Sequence, residues 1–355
     1  MRNAPRPIDS GAREAPGAGI GRLAAIAWRI AALLALSCAA LFASLCLGSV
    51  AIAPGDVADA LLRAIRMEPH ADSAIAAIVL ELRLARTLLA LLSGAALGVS
   101  GAILQGLFRN PLADPYSLGV SSGASLGATV AILSGAAFPG GVEGSAFTGA
   151  IAAAALVFLV AGTSRTGGPA PLLLAGAAVS AFVAAAVALA VALNDRDLHR
   201  VYFWLLGGFG GKGWADLAAA APMGGLAVAA SLALARPLDL FGAGEESARS
   251  MGLDVRAARL AAVGVASLAA AVAVSSGGII GFVGLAGPHI ARPLVGPAHS
   301  RLLPASALAG ASMLAVSDAL ARTLAAPLEL PVGVITAILG APLFLRLIAK
   351  KGGRP

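Results

Sequence analysis

The 355-residue sequence predicts an all-α polytopic membrane protein with about ten transmembrane helices. Three observations predict it. First, 59% of residues are hydrophobic and only 12% charged, where a soluble domain averages about 25% charged, and the mean hydropathy is +0.89. Such a chain cannot cover itself with polar surface, so lipid must be its solvent. Second, apolar runs of about 20 residues recur along the chain, each long enough to cross the hydrocarbon layer as a helix. Third, aromatics are scarce while alanine abounds beside 44 glycines, and small residues let membrane helices approach closely. The net charge of +7 and pI near 10.4 do not point to nucleic acid in this setting. Spare Lys and Arg of a membrane protein collect in cytoplasmic loops.

Taken in order, residues 1–22 are rich in Pro, Gly and Arg and read as a disordered cytoplasmic tail. Residues 23–355 form a single transmembrane domain. The run Leu23 to Ile52 exceeds the roughly 7–15 apolar residues of a signal-peptide core and is assigned as the first membrane helix. It holds both cysteines, Cys38 and Cys46, so no disulfide framework is expected. Further spans fall near 87–108, 117–134, 146–162, 171–193, 214–236, 258–275, 278–295, 303–321 and 332–349, with the glycines of 278–295 weakening that span. An even number of spans places both termini on the cytoplasmic side, together with about 17 of the 25 Lys and Arg residues, as the positive-inside rule prefers.

Two loops carry structure of their own. PLDLFGAGEESARSMGLDVRAARL has Glu245 and Glu246 early, Arg249 later and Gly252 at a stop position, the charge order a short helix dipole favours. It predicts an amphipathic helix at about 242–256, on the cytoplasmic face. NDRDLHRVYFWLLGGFGGKGW lies outside and predicts a short helix before the sixth span. Segments 100–119 and 276–296 echo each other, each a small-residue run followed by a proline-bearing turn, the weak internal symmetry of a transporter.

No catalytic constellation emerges. GGFGGKGW fails as a phosphate-binding loop: Leu206 stands where Walker A needs its first Gly, and Gly213 where it needs Ser or Thr. There is no HExxH or Gly-x-Ser-x-Gly, and the four histidines are scattered, so no resident metal or cofactor and no enzymatic activity are expected on this chain. Charges in or beside the spans carry more information, because burying them is expensive. Asp318 and Arg322 lie i,i+4 and can pair on one helix face. Arg83 and Arg86 precede the second span and read as interfacial snorkelling residues. Gln105 and Asn110 flank the inner end of that helix as packing or capping groups, and His289 follows Pro288 at a helix end.

RLARTLLALLSGAALGVSGAILQGLFRNPLADPYSLGVSSGASLGA resembles the second and third helices of the binding-protein-dependent permeases that import iron chelates, haem and cobalamin, the membrane subunits of type II ABC importers. The likeness continues in order through LLLAGAAVS, FWLLGGFGGKGW, GEESARSMGLD, GFVGLAGPHIARPLVG, SDALAR and LELPVGVITAILGAPLFLRL. It implies a type II importer permease fold in a bacterial inner membrane, working as a homodimer with a cytoplasmic ABC ATPase dimer and a periplasmic substrate-binding protein. Gly244, Glu245, Glu246, Ala248, Arg249 and Gly252 match the segment that couples to the ATPase. Arg83, Arg86 and Arg322 match outer-face arginines that dock the binding protein, with Arg322 turned outward. Gln105, Asn110 and Pro111, and likewise Pro288, His289 and Arg292, match signature turns near the inner face, where the resemblance makes the second set architectural. Where relatives carry polar or basic residues near the cytoplasmic gate, this chain has Gly167-Gly168-Pro169-Ala170-Pro171. The outer YFWLLGGFGGKGW segment looks more like the tetrapyrrole importers than many siderophore permeases. The competing class is a secondary transporter, for which Asp318 is the one supporting intramembrane acid.

Overall fold

The computed structural model describes residues 17–68, 73–135, 140–162, 170–194 and 197–352. All regular structure among them is helical. Residues 1–16 of the expected tail, and Gly167 to Pro169 of the gate segment, lie outside the described residues.

The first helix, α1 (Gly17–Cys46), begins inside the stretch expected to be tail. α2 (Pro54–Arg66) has no counterpart among the expected spans. It opens with Pro54 in its first turn and Asp56 behind it, closes on Arg63 and Arg66, and buries only Val57 and Ala60. That charge order suits the dipole, and the short apolar face leaves it too polar to span. One turn, α3 (Ser73–Ala76), runs through a π-helical stretch (Ala77–Leu84) into α4 (Ala85–Leu107). The second span therefore starts about three turns earlier than hydropathy suggested, and Arg83 and Arg86 sit within it.

After a 3₁₀ turn (Pro115–Leu118) come α5 (Val120–Leu133), α6 (Gly141–Gly162), α7 (Ala170–Ala192) and the short α8 (Leu198–Leu206), as expected before the sixth span. α9 (Trp214–Ala233) leads to α10 (Ala235–Gly242) and α11 (Glu245–Ser250), and α12 (Val255–Gly277) returns. α13 (Val283–Val295), α14 (His299–Thr323) and α15 (Val332–Gly352) complete the chain. Each expected span has its helix. Among the described residues, seven are long and apolar enough to cross a membrane, while α5, α13 and the apolar part of α15 are shorter. At α13 the expected weakening appears: Gly278 (φ 70°) and the non-glycine Phe282 (φ 68°) take positive-φ backbone conformations, and the helix is broken between 277 and 283.

Small residues set the helix spacing at the centre of the bundle. A Cβ on Gly94 of α4 would stand 2.4 Å from the Gly310 carbonyl oxygen of α14, and one on Gly98 2.2 Å from that of Ser306. A Cβ on Gly101 would come within 1.8 Å of the Gly284 carbonyl oxygen of α13. Backbones this close gain dispersion contact along the crossing, which is the main attraction available where lipid is as apolar as the helix. The two echoed segments meet at this crossing. The Tyr116 hydroxyl donates to the Ile280 carbonyl (2.7 Å) and accepts the Ile280 N–H (3.0 Å), so it satisfies the backbone exposed by the break. Burial pushes the neighbouring Asp114 carboxyl up, and the N–H of Tyr116 that it accepts pulls it partly back. The echo is imperfect: Pro288 and Pro293 lie inside α13 and form no turn.

Candidate functional site: the two polar ends of the bundle

α14 is 25 residues long, about 37 Å at helical rise, and its ends mark two polar clusters. At its C-terminal end Asp318 is fully buried and accepts from three directions: Arg86 Nε (3.1 Å), Arg86 Nη2 (2.9 Å) and Arg322 Nε (3.1 Å). Arg86 also donates to both carboxylate oxygens of Glu329, at 3.0 and 2.9 Å. Arg322 reaches the carbonyls of Leu47 and Ser44 (both 3.1 Å) and the Ser44 hydroxyl (2.6 Å). Arg83 donates to the carbonyls of Leu45, Cys46 and Val50. The expected Asp318–Arg322 pair is present. The expectations that Arg322 faces outward and that Arg83 and Arg86 snorkel are corrected: the three are 5%, 6% and 8% exposed. Each is drawn inward because the C-terminal ends of α1 and α14 and the residues that follow them offer the carbonyls and carboxylates that a buried guanidinium must have.

Beside this cluster Lys212, the lysine of the failed phosphate loop, bridges Glu143 of α6 and Asp216 of α9. Glu143, Arg200, Trp204, Lys212 and Glu329 line a cavity of about 400 Å³ at this end. The charges on its walls are mixed, and no metal-binding group of acids, Cys or His occurs among the described residues.

The opposite end carries α11. Gly244 enters it at φ 103°, Glu245 and Glu246 occupy its first turn, and Arg249 its last. Gly252 (φ 84°) closes it, with its N–H on the Arg249 carbonyl (2.9 Å) and the Leu253 N–H on the Ala248 carbonyl (3.0 Å). Ala248 is fully buried and seats the helix, and Glu245 pairs with Arg259 of α12. Glu246, Ser247, Arg249 and Ser250 are left exposed as one short polar face. The expected helix at 242–256 is thus three pieces: the end of α10, α11, and the start of α12 capped by Asp254 on the Ala257 N–H (3.0 Å).

The signature-turn residues divide. Gln105 of α4 and Arg292 of α13 come together, with Arg292 Nη2 donating to Gln105 Oε1 at 3.3 Å. Asn110 closes its own turn by accepting the Leu112 N–H (2.9 Å), beside Pro111. His289 sits within α13 and not at a helix end, since Pro288 and Pro293 both lie inside that helix, which a membrane bundle tolerates because neighbouring groups satisfy the freed backbone. A contact that sequence reasoning missed lies here too: His299 Nδ1 is 2.6 Å from Asp239 Oδ1 of α10. The partners are 60 residues apart, and no local pattern marks them.

The family model described as "FecCD transport family" matches residues 33–350. The chain belongs to the FecCD transport family. It is 44% identical over 271 residues to the cobalamin import system permease protein BtuC of Halobacterium salinarum, covering 76% of this chain and 73% of that one. It is 41% identical over 280 residues to the hemin transport system permease protein HmuU of Yersinia pestis (77% and 84% covered). It is 40% identical over 274 residues to the Fe(3+) dicitrate transport system permease protein FecD of Escherichia coli (77% and 85% covered). A solved structure of a metal-chelate type ABC transporter in an inward-facing conformation superposes with a TM-score of 0.80 at 32% identity, over 90% of this chain and 98% of that one. The fold is that of the type II ABC importer permeases of this FecCD family.

Proposed function

We propose that this FecCD-family chain is the translocation subunit of an ATP-driven, binding-protein-dependent importer for an iron chelate or a metal tetrapyrrole. The observation that carries the reading is the family match across residues 33–350, with relatives that serve cobalamin, hemin and ferric dicitrate. In this reading two copies pair in a bacterial inner membrane, both termini face the cytoplasm, and the substrate passes between the copies. ATP hydrolysis resides on a separate ATPase dimer that meets α11. The exposed face of α11, seated by Ala248 and turned by Gly244 and Gly252, suits a lever that receives a push from a soluble partner. At the other end, Arg83, Arg86 and Arg322 serve a periplasmic binding protein by holding the 45–50 segment and Glu329 in place for it. The ion-gradient alternative loses its support, since the buried Asp318 carboxylate is already paired with two arginines.

The test is ATP-dependent uptake into proteoliposomes holding the permease, its ATPase and its binding protein, offered cobalamin, haem and a ferric siderophore in parallel. Uptake of one of them, abolished by Glu245→Arg with Glu246→Arg together with loss of ATPase binding, is the expected result. Uptake of any of them that persists without the ATPase and follows an imposed ion gradient overturns the proposal.

A further inference from the structure

We infer that Asp239 and His299 form the strut through which the α10–α11 segment moves α14, and that His299 is a positioning residue for energy coupling. The inference rests on the reading of α11 as the ATPase contact. One oxygen, Asp239 Oδ1, accepts both the His299 backbone N–H (2.9 Å) and faces His299 Nδ1 (2.6 Å). The backbone bond matters because α14 has no side-chain cap of its own: Ala298 at its N-cap contributes none. A carboxylate from another helix therefore satisfies an orphan N–H of the first turn and sits at the positive end of the dipole.

The imidazole is held on its other side as well. His299 is 8% exposed, and a Cβ on Gly106 would come within 2.5 Å of its Nε2, so the Nε2 edge of the ring abuts the C-terminal turn of α4. α10 is itself anchored by Leu238 and Phe241, both buried, and joins α11 through Ala243 and Gly244 alone. Displacement of α11 thus reaches Asp239 through one rigid turn of helix. From there it passes to the first residue of a helix whose far end carries Asp318 and Arg322. Asp239 is partly open to water, its side chain 44% exposed, so the contact adds little to stability. Its contribution is directional.

The test compares His299→Asn, whose amide nitrogen reproduces the Nδ1 donor, with His299→Gln, whose amide nitrogen falls nearer the Nε2 position, and with Asp239→Ala. Each is reconstituted with the ATPase and binding protein. Cobalamin, haem and ferric citrate are the transport probes. In parallel, spin labels at Met251 and Ser300, with Cys38 and Cys46 replaced by serine, report the α11–α14 distance with and without ATP, and this readout needs no substrate. All variants are expected to bind the ATPase and hydrolyse ATP as the wild type does. In His299→Gln and Asp239→Ala, transport per ATP hydrolysed falls about tenfold and the label distance shifts with ATP, while His299→Asn behaves as wild type. Equal label distances and equal transport per ATP in all variants, or hydrolysis falling in step with transport, would overturn the strut. Loss of α11's role has a separate signature: ATPase binding unaffected by Glu245→Arg with Glu246→Arg.

Discussion

Replacing Asp318 with asparagine keeps the shape of the side chain and removes its charge. Five charged groups make up this cluster: Arg83, Arg86 and Arg322 against Asp318 and Glu329. Formally the cluster moves from +1 to +2, and the loss is unequal. Arg86 retains both oxygens of Glu329, whereas Arg322 keeps only neutral acceptors, the Ser44 and Leu47 oxygens and at most the asparagine amide oxygen, and faces Arg86 with no acid between them. Removing one partner of a buried pair costs about 3–5 kcal/mol, and the surviving acceptors place this substitution near the lower end, about 3 kcal/mol. Because the penalty is an uncompensated guanidinium, adding Arg322→Gln should recover part of it, so the double variant is more stable than the sum of the singles. Equilibrium unfolding of the purified protein in mixed micelles reads all three. A cost below about 1 kcal/mol for Asp318→Asn, or strict additivity with Arg322→Gln, would refute the reasoning, since either would mean that the carboxylate is not what keeps these cations in the interior.

Gly101→Ala should cost at least about 3 kcal/mol or abolish accumulation in the membrane, because its Cβ would meet the Gly284 carbonyl at 1.8 Å, while Gly264→Ala, with nothing within 4 Å, should be neutral or slightly stabilising; thermal unfolding separates the two. Tyr116→Phe leaves the Ile280 N–H and carbonyl without the hydroxyl that bridges them and should cost about 1–3 kcal/mol in the same assay, with proteolysis near 278–282 accelerated. Lys212→Met breaks two partly exposed ion pairs and should lower stability by no more than about 1 kcal/mol, a difference that shrinks as salt is raised.

Hydropathy located a helix for every expected span, and the stop signals of the α11 loop were readable because Gly252 must supply a left-handed turn and Glu245, Glu246 and Arg249 follow the dipole. These are local constraints, set by a residue and its neighbours along the chain. The family resemblance was carried by the same kind of signal, short motifs in a fixed order. What the arginines do was decided elsewhere. Composition places Arg83 and Arg86 at an interface, yet the tertiary structure extends their helix by a π-helical segment and supplies Asp318, 232 residues from Arg86, and Glu329, 243 residues away. The partnership of Asp239 with His299 is of that sort too, as is the meeting of Gln105 with Arg292. A one-dimensional pattern records where burial of a charge would be costly. Only the packing of distant helices determines which group compensates it, because the compensating atom must arrive within about 3 Å and no spacing along the chain fixes that distance.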